Sequence, residues 1–295
     1  MQTELTLKRN KKKFVWFNLF NNIILIIMAF LCLYPFLYIL ALSFSSGIAI
    51  SRGSVSIIPI DATFVNFKVI LSNPMFIRSL VNSVILTVVG VVWTTSMTVI
   101  MAYPMSKQLK GGKVVSTMVL LTMLFSAGMI PNYIWINTLK LTNTFFAIWL
   151  PSTVNVFNLL LVRAFFREMP KELEDAARID GCTGFQMFLK IVLPLSMPVI
   201  ITIALFALVG YWNEFGGSLI YLRSADVMTL PVRLNALIND GMVGGVGILS
   251  PEEMVFFSKE GAKAAAIIIS ALPMVLIYPF VQKYFAKGIM IGSIK

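Results

Sequence analysis

The 295-residue sequence contains no histidine. That absence removes His-based general base catalysis, Ser-His-Asp and Cys-His nucleophile pairs, haem ligation and the common zinc sites. Cysteine is almost as scarce. Cys32 lies in the first long apolar run and Cys182 in a charged loop, so the two have no metal-ligand spacing and no evident disulfide role, and both read as spectators. Charge is also thin, at 13% of residues against about 25% in an ordinary soluble domain. A phosphate-binding loop of the form Gly-x-x-x-x-Gly-Lys-Ser/Thr is missing: Gly112-Lys113 is followed by Val114, and Lys107 stands where the first glycine belongs. Any energy from ATP must therefore enter through another chain.

What the sequence has is apolar residues, 58% of the total, with a mean hydropathy of +0.86. A water-soluble enzyme cannot cover its surface with that composition, so the chain reads as an integral, all-α membrane protein. A helix rising 1.5 Å per residue needs about 20 apolar residues to cross the hydrocarbon core. Uncharged runs predict six spans, at about 15–43, 79–106, 114–139, 141–162, 191–213 and 264–282. The first is too long for the apolar region of a cleavable signal peptide and lacks a convincing cleavage site, so it is expected to stay as an anchor. No run carries a charge in its interior, which argues against a proton relay or a charge-paired ionic substrate.

The net charge of +11 is explained by its distribution. Six spans put both termini on one side. That side collects Lys8, Arg9, Lys11, Lys12 and Lys13, then Lys107, Lys110 and Lys113. It also holds Arg163, Arg167, Lys171, Arg178 and Lys190, and finally Lys283, Lys287 and Lys295. The positive-inside rule places it, and both termini, in the cytoplasm. Basic charge is topological here, and nucleic acid is not an expected partner. Residues 1–13 form a basic cytoplasmic N-terminus and 14–295 a single transmembrane domain. Trp16 and Trp212 fall near span ends, where aromatic rings favour the interface.

Two outer segments, about 44–78 and 214–263, are long. The second holds the glycine-rich stretch 241–247 and then Ser250-Pro251-Glu252-Glu253, a helix start in which proline suits the first turn and the acids suit the N-terminal dipole. The inner segment 163–190 carries more information. Between Pro170, suited to a first helical turn, and Gly181, suited to a C-terminal cap, lies room for a helix of about ten residues. Leu173, Ala176 and Ala177 would share one face, flanked by Glu172, Glu174, Asp175 and Arg178. Small apolar side chains beside charges suit docking into a protein groove, although a solvated connector helix would look similar.

At these residues the sequence resembles the permease subunits of binding-protein-dependent ABC importers. Their signature is Glu-Ala-Ala, three residues, Gly, nine residues and Ile-x-Leu-Pro. Here Asp175-Ala176-Ala177, Gly181 and Ile191-Val192-Leu193-Pro194 keep every spacing, with Asp175 in place of the usual Glu. Asn82-Ser83, Tyr211-Trp-Asn-Glu-Phe215, Thr229-Leu-Pro231 and the closing segment 287–295 look like the carbohydrate-importing branch, and the long outer loop is similar to relatives that import complex oligosaccharides.

The resemblance implies a type I importer architecture in a bacterial inner membrane. It implies a second, homologous permease sharing one pathway, two ATPase subunits that bind ATP and Mg, an extracellular solute-binding protein, and a sugar or oligosaccharide substrate. No cofactor or metal is expected in this chain. The coupling helix would carry Leu173, Glu174, Asp175, Ala176, Ala177, Asp180 and Gly181 toward the ATPase. For the substrate pathway, polar residues inside spans are the candidates: Asn132, Asn155 and Asn158, which can bind hydroxyls or join helices. An importer permease for peptides or amino acids stays open at this point. So does a secondary transporter, although it would need intramembrane acids and often inverted repeats. A membrane-embedded enzyme would have few reactive side chains to work with.

Overall fold

The computed structural model describes residues 2–107, 109–125, 127–241 and 246–291, and among them all regular structure is helical, with no strand. In chain order the helices are α1 (Gln2–Phe44), α2 (Gly47–Ser51), α3 (Val65–Leu71), α4 (Pro74–Ser106), α5 (Gly112–Leu124), α6 (Met129–Thr138), α7 (Phe146–Trp149), α8 (Val156–Glu168) and α9 (Lys171–Ile179). There follow α10 (Gly184–Met187), a π-helical turn (Phe188–Val192), α11 (Leu193–Leu195) and α12 (Met197–Trp212). The chain continues with α13 (Gly216–Tyr221), α14 (Leu230–Asp240), a 3-10 turn (Val246–Ile248), α15 (Pro251–Phe256) and α16 (Lys259–Ile291). Residues 242–245 of the glycine-rich stretch and the closing residues 292–295 lie outside the described residues.

By length and composition, Phe17–Phe44, Pro74–Ser106 and Lys259–Pro279 can each cross a membrane as one helix. Two further candidates are helix pairs broken by a sharp bend, α5 with α6 and Gly184–Leu195 with α12, the latter bent by 75°. The uncharged run 141–162 departs furthest from its expectation, because it is not one helix. Lys140 and Asn143 take left-handed backbone angles, and α7 lasts only four residues. After Pro151, Asn155 caps α8 by accepting the Asn158 amide at 3.1 Å, and α8 then runs on to Glu168. Proline and asparagine punctuate a chain regardless of how apolar their neighbours are. At the other end, α16 begins at Lys259 rather than 264, capped by Ser258, whose hydroxyl accepts the Gly261 amide at 3.2 Å.

The chain divides into two compact units, residues 1–73 with 240–269 and residues 74–239 with 270–295. The first is organised around Asn66, which is 0% exposed. Its Nδ2 donates to the Ser43 and Ser45 carbonyls at 3.3 and 3.1 Å, and its Oδ1 accepts the Ser258 amide at 3.3 Å. Gly261 lies against the same side chain so closely that a Cβ there would sit 2.5 Å from Nδ2. At the surface, α15 starts where the sequence placed a helix start; Ser250 and Glu253 form a reciprocal capping box on it, and Lys68 pairs with Glu253 at 2.6 Å. The lysine, and next the Ser250 backbone, hold the Glu253 carboxyl below the usual carboxylate range.

The second unit is built on α4, which packs along α12 and α8. Beside Phe76, Leu86 and Val99, its buried face carries Ser79, Ser83, Thr87, Gly90, Thr94, Thr98 and Ala102, small residues at helical spacing that let neighbouring backbones approach. Gly90 is required there, since a Cβ would lie 2.7 Å from the Tyr211 ring. Polar residues on α4 then fasten the chain that returns to it. Asn82 donates to the Asp226 and Met228 carbonyls at 2.8 and 3.0 Å, and the Ser83 hydroxyl accepts the Leu230 amide at 2.8 Å. Two of the short motifs noted in the sequence, Asn82-Ser83 and Thr229-Leu-Pro231, thus meet in one joint.

Candidate functional site

Two places in the second unit gather the residues singled out above. The first is α9. Pro170 opens it, Glu172 and Glu174 lie in its first turn and Arg178 in its last, matching the helix dipole at both ends. Gly181, at φ +77°, closes it: the Gly181 amide donates to Arg178 and the Cys182 amide to Ala177, the paired bonds of a Schellman cap. The helix is therefore slightly shorter than the Pro170–Gly181 segment expected, with both outer residues serving as caps.

The faces of α9 differ from the expected stripe. Ala177 is 3% exposed and packs in the unit's own core, with Val99 and Ala102 of α4, Leu159, Val162 and Phe166 of α8, and Met187 and Val192 beyond. Glu174 is turned the same way and forms an ion pair with Lys107 at the end of α4. Leu173, Asp175, Ala176 and Asp180 are exposed, and so is Ile179 at 85%. The free face is thus Leu173, Asp175, Ala176, Ile179 and Asp180, and Ala177 does not share it. The 3.6-residue period alone could not separate these faces, because Ala176 and Ala177 are chemically identical. Ile179 was the missed signal, a large apolar residue between charges. Phe185, on the short α10 that follows, is exposed in the same way.

The second place is an open cavity of about 450 Å³, lined by Thr94 of α4, Ser152, Asn155, Phe157 and Asn158 around the start of α8, Phe206, Ala207, Gly210 and Tyr211 of α12, and Glu214. Two of the three asparagines expected in a pathway come together here. Asn132 does not join them; it is exposed on α6, away from the cavity lining. Asn155 divides its role, since its Oδ1 also caps α8. A polar relay runs within the wall. The Tyr211 hydroxyl and Thr94 Oγ1 lie 2.7 Å apart, and Thr94 donates to the Ser152 carbonyl at 3.1 Å, so Tyr211 is the donor to Thr94. Trp93 donates to Thr153 Oγ1 at 3.0 Å, and Trp149 to the Leu86 carbonyl at 3.0 Å. Glu214 caps α13 through the Gly217 amide at 2.6 Å. Sequence reasoning missed Thr94, Phe157 and Phe206, whose types are ordinary in apolar helices, and marked Tyr211 only as part of a motif, not as a lining residue. Among the described residues no group of acids, cysteines and histidines is placed to hold a metal ion.

Apolar helices long enough to cross a membrane, a cavity with both polar and aromatic lining, and a short amphipathic helix packed on the same unit fit the class of membrane transport proteins. The comparisons with known proteins narrow that class. The chain belongs to the family described as binding-protein-dependent transport system inner membrane component, whose profile matches residues 7–291. It is 41% identical over 271 residues to protein LplC of Bacillus subtilis (strain 168), covering 88% of each chain. To the polygalacturonan/rhamnogalacturonan transport system permease protein YtcP of the same organism it is 36% identical over 279 residues, covering 92% of this chain and 95% of that one. In structure it is similar to a chain of a bacterial ABC transporter involved in the import of the acidic polysaccharide alginate. There the TM-score is 0.84 at 33% identity, over 91% of this chain and 96% of the other.

Proposed function

We propose that this chain is one permease of an ATP-driven importer of sugars or oligosaccharides, spanning a bacterial inner membrane six times with both termini in the cytoplasm. The observation that carries the reading is the pairing of two features in one unit: a hydroxyl- and amide-lined cavity between α4, α8 and α12, and a capped helix, α9, with a free face beside them. The substrates named for its relatives, polygalacturonan, rhamnogalacturonan and alginate, support a polyhydroxylated ligand. The cavity offers what such a ligand needs, hydroxyl and amide groups for hydrogen bonds with two phenylalanine rings for the apolar faces of sugar rings.

In this reading the chain shares its pathway with a second, homologous permease. Two ATPase subunits bind ATP and Mg and receive the coupling helices, and an extracellular solute-binding protein delivers the sugar. The free face of α9, with Leu173, Asp175, Ala176, Ile179 and Asp180, docks on the ATPase, while Ala177, Glu174 and the Gly181 cap hold the helix on its own unit. ATP binding draws the ATPases together and moves α9, opening the cavity outward; hydrolysis resets it. Asn155 and Asn158 would contact hydroxyls, and this chain itself hydrolyses nothing.

A tagged copy purified in mild detergent from its native host tests the proposal. A second six-span protein, an ATPase and a solute-binding protein should accompany it, and that binding protein can then be screened against oligosaccharides. Recovery of the chain alone, under conditions that keep known importers together, would refute the reading.

A further inference from the structure

We propose that the Lys107–Glu174 ion pair is the link through which movement of α9 is delivered along α4 to the cavity wall. The inference rests on the importer reading and adds to it a route and a positioning pair. Among the described residues this is the one ion pair that joins α9 to another helix. Both side chains are largely shielded, at 29% and 21% exposure, so solvent weakens the attraction less than it would at an open surface.

The lysine head is held on a second side by the Tyr103 ring, whose centroid lies 4.8 Å away. Tyr103 in turn packs on Phe188 at 4.9 Å and Phe166 at 5.9 Å, and its hydroxyl reaches the Met187 sulfur at 3.8 Å. The pair therefore sits where the ends of α4, α8 and α9 meet the π-helical turn that starts at Phe188, and such turns recur at functional sites in helices. Arg163 of α8 donates to the Met105 carbonyl at 2.9 Å, satisfying one of the last carbonyls of α4 and steadying that end.

From Ser106, next to Lys107, α4 runs back through Pro104 to Thr94, 12 residues or about 18 Å at the rise of a helix. Thr94 is bonded to both neighbouring walls of the cavity, Tyr211 of α12 and the Ser152 carbonyl before α8. A displacement of α4 along its axis at Lys107 thus arrives at a residue that pulls on two cavity walls together. Without the pair, α9 keeps its covalent connection to α8 and its Ala177 contact, but loses its charged hold on α4.

The test reads access to the cavity and needs no knowledge of the sugar. In the assembled importer, with Cys32→Ser and Cys182→Ser, Phe157→Cys places a thiol in the cavity. The rate of its modification by a cationic methanethiosulfonate is compared without nucleotide and with ATP and vanadate. With the pair intact, nucleotide should change the rate about fivefold or more. Lys107→Glu or Glu174→Lys should bring the change below about twofold while the ATPases still co-purify. The double exchange should restore part of it, since the Tyr103 ring would no longer face a cation. If the single exchanges do not assemble, Lys107→Met and Glu174→Gln take their place under the same expectation. Single variants that respond like the intact protein, or a double exchange no better than either single, would overturn the link. An intact complex with no response to nucleotide would instead overturn the importer reading.

Discussion

At the scale of single residues, α4 shows how little room a membrane helix pair leaves. Gly90 admits the Tyr211 ring, and Tyr211 donates to Thr94 beside it. Tyr211→Phe removes one interhelical hydrogen bond, and should lower stability by about 0.6 kcal/mol, with roughly 1.7 as an upper bound. Gly90→Ala adds an atom where none fits and should cost about 1–3 kcal/mol. Thermal unfolding of the detergent-purified protein should therefore rank wild type above Tyr211→Phe, and Tyr211→Phe above Gly90→Ala. Equal midpoints for the two variants would mean that the ring simply moves aside. The sequence marked Tyr211 only as the start of a short motif and did not mark Gly90 at all, because their contact joins α4 to α12, more than a hundred residues away. Asn155 shows a different limit. Its type suggested hydroxyl recognition, yet its Oδ1 is already engaged in starting α8.

At the scale of elements, α9 is defined by opposing faces, and each can be tested. Ala177→Glu forces a charge into the core shared by α4 and α8, and should uncouple ATP hydrolysis from transport while membrane insertion persists. Ile179→Ser acts on the free face, so it should reduce ATPase co-purification severalfold and leave the melting temperature of the isolated chain unchanged. A matched loss of stability in both would show that Ile179 is structural. The helix α15 offers a test by pH. Lys68 lowers the Glu253 pKa, so the pair's contribution is fully present above the ordinary carboxylate value and disappears as pH falls through the lowered one. Amide protection of α15, corrected for intrinsic exchange, should therefore decline below about pH 4, and Glu253→Gln should remove that pH dependence. This element was legible in advance, because Ser-Pro-Glu-Glu states a helix start within four residues. The run 141–162 was not, since the absence of charge says nothing of Pro151 or of the left-handed Lys140 and Asn143.

At the scale of the whole molecule, hydropathy and charge announced a helical membrane protein, and the spacing around Gly181 announced its family. They could not announce that two candidate spans are bent pairs, because a bend leaves length and composition unchanged. The proposed orientation rests on the distribution of basic residues. A fluorescent protein fused after residue 295 should glow, alkaline phosphatase fused there should be inactive, and the reverse should hold for fusions after residue 225. Phosphatase activity at the C-terminus would invert the proposed topology.

Asn66 carries a consequence for the order of synthesis. Its Oδ1 accepts from a residue 192 positions later. At about 5–20 residues per second, the ribosome needs roughly 10–40 s to supply that partner. Through that interval Nδ2 can already reach the Ser43 and Ser45 carbonyls, but Oδ1 must accept from water, a lipid headgroup or an assembly factor. A nascent chain stalled before Ser258 should thus carry its first spans inserted and its first unit still open, a target for quality-control proteases that the finished protein no longer presents.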